Sequence, residues 1–163
     1  MKKILICAIG IVCLVGFAAA IDLPPMREGL WSIHTQTIDH PGNVKREFTQ
    51  KICRNHAYDD SARAKAKNMP GCKVQNENLS GHTYTIEMEC NIGGSVIHSK
   101  GVTTSTGDDA FRSETHTTYT PAFHGVSDTT MIMDQKYESS CPAGTEPGDI
   151  IRADGTVLHT GKQ

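Results

Sequence analysis

Residues 71–90, GCKVQNENLSGHTYTIEMEC, form the stretch that decides the fold. Cys72 and Cys90 each lie nine residues from Gly81, so the segment is symmetric about a glycine that favours a turn. After Gly81, apolar and polar residues alternate, which is typical of a strand with one buried face. The apolar positions are Tyr84, Ile86, Met88 and Cys90. The stretch therefore predicts an antiparallel hairpin with a cysteine near the end of each strand.

The predicted loop of this hairpin sets which residues face each other. A three-residue loop at 80–82 places Leu79 opposite Thr83, and the same register places Cys72 opposite Cys90. Directly opposed Cα atoms lie about 4.5–5.5 Å apart, which a disulfide bond can span. The strands of the hairpin are therefore predicted to be tied to each other.

Four cysteines of the region after residue 20 can pair in three ways. The preferred pairing is Cys72–Cys90 with Cys53–Cys141, which requires that the chain cross from one end of the sheet to the other after Cys53. The alternative is Cys53–Cys72 with Cys90–Cys141, which applies if the chain returns at the same end. All four lie too far apart for a C-x-x-C redox or metal motif.

The rest of the chain has the pattern of a mainly β domain. Inward-facing positions predicted on the first two strands are Trp31, Ile33, Thr35 and Thr37, then Val44, Phe48 and Ile52. Three later strands cover residues 95–104, 110–119 and 128–137, with turn residues between them. About seven strands in an antiparallel meander predict a curved sheet or an incomplete barrel.

One segment has helical character instead. Residues 55–69 are rich in alanine, acidic early and basic late, which complements a helix dipole. Asn55 is suited to cap the start, and Pro70 with Gly71 stops the helix. Its apolar face consists only of alanines and Tyr58, so the pattern predicts one short surface helix.

The first twenty residues resemble a targeting segment rather than part of the domain. Two lysines precede an apolar run at 4–17, and three alanines end at Ala20, as in a cleavable signal peptide. We therefore predict a signal peptide over 1–20, a single β domain over 21–141 and a flexible tail over 142–163. The pattern predicts export from the cytoplasm, with no membrane span left after cleavage.

Charge and motifs exclude several classes of function. A net charge of −2 and a pI near 6.4 argue against a nucleic-acid surface. Zinc-ligand spacings, the G-x-S-x-G nucleophile motif and phosphate-binding loops do not occur in the sequence. We predict no catalytic residue, no metal site and no cofactor. A metal-binding protein or hydrolase that uses the strand histidines His34, His98 and His116 remains the least favoured alternative.

The favoured hypothesis is a non-enzymatic module that binds a small apolar ligand or an envelope partner through its sheet. Residues predicted to face a ligand, or to form the core, are Trp31, Met88, Phe111, Met131 and Met133. Ligand binding requires a cavity behind Met88, Met131 and Phe111. The competing hypothesis is a structural or stress-related envelope protein without a ligand.

The order of motifs resembles a bacterial family known as domain of unknown function 3617. The matching features are a G-L-W motif at 29–31, Cys53, a G-C-K-V segment at 71–74, and the last two cysteines, Cys90 and Cys141. The chain departs from the family in having Glu28 before the motif and Ser32 after it, and in its long segment after Cys141. The resemblance covers roughly residues 25–142. It implies an all-β, disulfide-bonded domain in the Gram-negative periplasm and lends no catalytic residue.

Overall fold

The computed structural model describes residues 23, 25–152 and 154–160, so the predicted signal peptide lies outside the described residues. Within these ranges there are nine strands and one helix. In chain order they are β1 Gly29–His40, β2 Val44–Arg54, α1 His56–Lys67, β3 Cys72–Ser80, β4 Thr83–Ile92, β5 Ser95–Ser105, β6 Ala110–Phe123, β7 Val126–Ser139, β8 Ile150–Ile151 and β9 Val157–Leu158.

All nine strands join one open antiparallel sheet in the order β3-β4-β5-β6-β7-β1-β2-β8-β9. This confirms the predicted mainly β architecture with one short helix. The five strands β3 to β7 form a meander, and the β1–β2 hairpin lies beyond β7. The chain therefore has to travel from β2 to β3 across the sheet, and the segment that does so contains α1.

The β3–β4 hairpin contains a tighter turn than the sequence predicted. Ser80 pairs with Thr83, so the loop has two residues, and Gly81 adopts φ +57° at its first position. Glycine is favoured there because the turns that match the twist of a hairpin need a positive φ. The predicted three-residue loop was therefore wrong.

The same hairpin nevertheless brings its cysteines together. Between Val74 and Asn76 the register shifts by one residue, and this bulge leaves Cys72 opposite Cys90. A bulge places an extra residue on one strand, so it offsets the residue lost from the loop. The structure contains the disulfide Cys72–Cys90, with the two Cα atoms 3.9 Å apart.

Helix α1 begins where the sequence predicted. The side chain of Asn55 accepts a hydrogen bond from the Tyr58 N–H at 2.8 Å, which caps the first turn. Asp59 is buried and accepts a 2.7 Å hydrogen bond from Arg54, so this acidic residue does more than complement the helix dipole. The helix ends at Lys67, two residues before the predicted end at Met69.

The path of α1 joins opposite ends of the sheet. It leaves β2 at the end where β1 begins and β7 finishes, and it enters β3 at the other end. Cys53 and Cys141 lie together at the first end, and the structure joins them with a Cα separation of 5.6 Å. These two disulfides are the bonds of the preferred pairing.

The core is concentrated at the end of the sheet where Trp31 lies. Trp31 is fully buried, its indole N–H donates to the Arg27 carbonyl at 2.8 Å, and its ring centroid lies 5.6 Å from that of Phe111. Two further buried side chains, Ile33 and Ile52, contact it. The partly buried residues around this cluster are Met26, Tyr58, Phe111, Met133, Tyr137 and Ile150.

Two residues predicted to face inward on β2 are exposed. Val44 and Phe48 lie on the same face as Ile52, but β8 pairs only with Lys51 and Ile52. Their side chains therefore lie beside an edge that the described strands leave open. Alternation correctly predicts which face a residue occupies, but it does not predict whether another element covers that face.

The segment after Cys141, which the sequence predicts to be a flexible tail, contains two short strands. It adds β8 and β9 to the edge of the sheet beside β2. The Gly148 N–H donates to the Cys53 carbonyl at 2.7 Å, and the Cys53 N–H donates to the Asp149 carbonyl at 3.0 Å. Tertiary main-chain pairing orders a segment whose composition is that of a loop.

Asp149 organises this added edge. Its buried carboxylate accepts hydrogen bonds from the Glu146 N–H at 2.8 Å and from His159 Nδ1 at 2.9 Å. The hydrogen bond from Glu146 lowers the pKa of Asp149, burial opposes this, and His159 lowers it further. The ionised form is therefore favoured in the folded protein.

We expect acid to loosen the tail before the sheet. A lowered carboxyl pKa contributes stability that is complete above the ordinary value of 3.8 and is lost as the pH falls through the lowered value. Hydrogen exchange should then show the amides of Gly148 and Cys53 losing protection first. Asp149→Asn should show that loss already at neutral pH, whereas Glu146→Gln, with an exposed side chain, should not. Equal protection in Asp149→Asn and the parent protein at neutral pH would contradict this role.

Candidate ligand cavity

The two faces of the sheet differ in chemistry. The apolar face carries Trp31, Phe111 and Met133, and α1 packs on it. The polar face carries cross-strand ion pairs. Lys100 lies 2.8 Å from Glu87, and Arg112 donates hydrogen bonds of 2.7 and 2.8 Å to the two carboxylate oxygens of Asp134. Because one face is apolar and partly covered, it is the face on which a small apolar molecule can lose its contact with water.

The residues predicted to face a ligand are all on the apolar face but do not share one environment. Trp31 belongs to the fully buried core, and Met133 packs against it. Phe111 packs against the core and also lines a cavity. Met88 and Met131 are half-buried and lie outside the lining of that cavity. Of the three residues behind which the ligand hypothesis required a cavity, Phe111 alone lines it, so the cavity lies nearer the Trp31 end of the sheet than predicted.

The cavity has a volume of about 140 Å³ and lies at the Trp31 end of the apolar face. The segment before β1, helix α1 and strands β3 to β6 all contribute to its wall. Its lining residues are Leu23, Met26, Arg63, Leu79, His82, Tyr84, Thr103, Ser105 and Phe111. Leucine, methionine and aromatic side chains supply most of the wall, with an arginine, a histidine and hydroxyl groups at separate points.

Sequence reasoning missed most of this cavity. Leu79 and Tyr84 were read as strand positions, and Arg63 as part of a solvent-facing helix. The missing information was the direction in which α1 crosses the sheet, since that path brings Arg63 over β3 and β4. A hint was present in the turn: a two-residue loop puts Leu79 directly opposite Tyr84, so both point to one face.

A polar cluster beside the cavity holds Tyr84 in place. The Tyr84 hydroxyl donates to Glu77 Oε1 at 2.6 Å, and Lys67 from α1 forms an ion pair with the same oxygen. Burial raises the pKa of Glu77, but the hydrogen bonds from Lys67 and Tyr84 outweigh it and lower the pKa overall. Burial, followed by the contact with Glu77, raises the pKa of Tyr84, so this hydroxyl stays protonated. The tyrosine ring is thus fixed as a wall of the cavity.

Larger depressions lie on the polar face. One of about 410 Å³ is lined by charged side chains such as Lys100, Arg112 and Glu114, and one of about 680 Å³ lies beside it. Most of the side chains that line these two depressions are charged or polar, whereas leucine, methionine and aromatic side chains supply most of the wall of the smaller cavity. The smaller cavity under α1 is the better candidate for a ligand site.

The strand histidines lie on the polar face, each beside a different partner. His34 contacts Thr49 at 3.0 Å, and His116 contacts Thr130 at 3.4 Å. His98 is 3.7 Å from Glu89. In the described part of the chain, no three His, Cys, Asp or Glu side chains are grouped closely enough to hold a metal ion.

Together, the open antiparallel sheet, the two disulfides and the cavity beneath a crossing helix define a class of small, disulfide-bonded β domain. The chain belongs to the family described as "Protein of unknown function (DUF3617)", whose model matches residues 26–141. Comparison with curated proteins found no match. Within the ranges that the structure describes, no helix is long and apolar enough to cross a bilayer.

Proposed function

We propose that this protein is an exported, non-enzymatic module that binds a small apolar molecule in the cavity beneath α1. The observation that carries the proposal is a partly open cavity of about 140 Å³ walled mainly by Leu79, Tyr84, Phe111 and other apolar side chains. Binding sites for small molecules are commonly concave and apolar, with a few polar groups that fix orientation. Here the polar groups that can orient a ligand are Ser105 on β5 and Arg63 on α1.

The size of the cavity bounds the ligand. An engineered apolar cavity of about 150 Å³ holds benzene, so a ligand of about six to eight non-hydrogen atoms is the matching size. The apolar part of such a molecule lies against Phe111, Tyr84 and Leu79. A single hydroxyl or carboxylate on it can reach Ser105 or Arg63, which lie at other points of the wall.

Two features support export to the periplasm. The sequence begins with the charge and hydrophobicity pattern of a signal peptide, and two disulfide bonds are typical of oxidising compartments. Protein produced with its own leader in a Gram-negative host and recovered from the periplasm should have the intact mass of a chain that begins at Ile21. The same mass should correspond to two disulfides, and an uncleaved cytoplasmic chain would contradict export.

Ligand binding can be followed through the single tryptophan of the sequence. Phe111 lies between the Trp31 ring and the cavity, so a molecule that moves Phe111 changes the surroundings of Trp31. We expect benzene, toluene or 1-hexanol to shift or quench the emission of Trp31 in a saturable way. Native mass spectrometry of the periplasmic protein should in addition reveal the natural ligand as an added mass.

A matched pair of variants locates the site. Thr103→Phe places a ring in the cavity, and Thr104→Phe places the same ring on the opposite face of β5. We expect the first to reduce probe affinity at least about tenfold and the second to leave it unchanged. Equal binding by both variants would show that the probe binds at another place on the protein. Bare protein that binds no probe would favour a structural envelope protein, and stoichiometric metal would favour the histidine-dependent alternative.

A further inference from the structure

The outer half of β2 is a free sheet edge with an unusual surface. β2 pairs with β1 along its whole length without a bulge, but β8 covers only Lys51 and Ile52 on its other side. Along residues 44–50 the described strands leave that side open. Phe48 is 52% exposed and Val44 is 54% exposed on the same face. Exposed apolar residues on an unpaired, unbulged edge favour pairing with another strand.

The direction of the free main-chain groups follows from the one pairing that does exist. Cys53 bonds through both its N–H and its carbonyl to residues 148–149, on the side away from β1. Main-chain groups alternate in direction along a strand. Lys45, Glu47 and Thr49 therefore present their N–H and carbonyl groups to the open side.

The opposite edge of the sheet is protected. β3 carries the bulge between Val74 and Asn76, and α1 packs against this strand. Bulges and covering helices are the usual means by which proteins prevent edge pairing. The open part of β2 has neither among the residues described.

The outer half of β2 is complementary to itself. We propose that two copies of this chain pair through antiparallel β2 strands about a two-fold axis at Arg46. In this register Lys45 lies opposite Glu47 of the second copy, and Val44 lies beside Phe48 of the second copy. Both contacts occur twice, because the interface is the same patch on each copy.

The charges on the strand select this register. Sliding the strands to place Glu47 opposite its own copy would oppose like charges. In the proposed register the two Arg46 side chains meet instead, but each is already neutralised by Asp39, whose carboxylate lies 2.5 Å from it. Lys45 and Glu47 form a 2.6 Å ion pair within one strand, and the dimer exchanges the two such pairs of its copies for two pairs between strands.

The test is charge reversal followed by sedimentation velocity, from about 10 µM to about 1 mM protein. The parent protein should form dimers as its concentration rises. Lys45→Glu and Glu47→Lys should each weaken dimerisation at least about tenfold, since each opposes like charges across the axis. The double variant K45E/E47K should restore it. Lys73→Glu on β3 makes the same charge change at the opposite edge and should leave dimerisation unaltered.

Circular dichroism of each variant establishes that the fold is retained. A parent protein that stays monomeric across this range would overturn the proposal. So would a folded K45E/E47K double variant that fails to dimerise, or dimers that persist unchanged in both single variants. Phe48→Ser gives an independent reading, because it removes the apolar contact without touching the charges, and it should also weaken the dimer.

Discussion

Replacing Trp31 with alanine is expected to cost more stability than any other substitution of an apolar core side chain in this domain. The side chain is fully buried, contacts Phe111 and Tyr137, and donates a hydrogen bond to Arg27. Deleting a buried tryptophan costs about 3–5 kcal/mol, through lost burial and the cavity left behind. The free energy of unfolding of such a domain is about 5–15 kcal/mol, so a large share of its stability depends on one residue.

Chemical denaturation followed by far-ultraviolet circular dichroism measures this effect, since the variant has no tryptophan to report by fluorescence. Val102→Ala is the matched control, because Val102 is half-buried on the opposite face of the sheet. It should cost about 1 kcal/mol or less. A Trp31→Ala loss no larger than that of the control would show that the core does not depend on this cluster.

Removing the Cys53–Cys141 disulfide is expected to destabilise more than removing Cys72–Cys90. The first bond joins residues 88 apart in sequence and the second joins residues 18 apart. From the loop-closure entropy, the disulfide of the longer loop is expected to stabilise the fold by about 4–5 kcal/mol and that of the shorter loop by about 3 kcal/mol. Cys53 is also fully buried, so its replacement by alanine disturbs packing as well.

The double variants C53A/C141A and C72A/C90A provide the comparison under the same denaturant. Reducing the parent protein measures the effect of losing both disulfide bonds without replacing any side chain. The reverse order of stability between the two variants would contradict the loop-length argument. Peptide mapping under non-reducing conditions supplies a separate check, since a peptide that links Cys53 to Cys72 would overturn the pairing itself.

Much of the fold could be predicted because it depends on neighbours in sequence. Alternation along β4 located a strand, the turn at Gly81 located a hairpin, and Asn55 located the start of α1. Each of these signals comes from a residue's own conformational preference or from the period of one element. Local preferences survive folding when the rest of the structure agrees with them.

The candidate cavity could be predicted only in part. Phe111 was named, but its neighbours across the cavity come from β3 and α1, which are distant in sequence from β6. Met88 and Met131 were placed on the correct face but lie outside the cavity wall. Sequence periodicity identifies a face, and it does not tell which part of that face a crossing helix covers.

The sequence by itself determined the β architecture, the helix that begins after Asn55 and the hairpin between Cys72 and Cys90, because these follow from local alternation and turn chemistry. The pairing of the two cysteines also needed the bulge between Val74 and Asn76, which the sequence did not predict. Only the tertiary structure decided that the tail joins the sheet, that Phe48 stays exposed and that a cavity forms beneath α1. Those outcomes depend on where distant segments meet. Their stability comes from main-chain pairing and burial between elements, which no single segment contains.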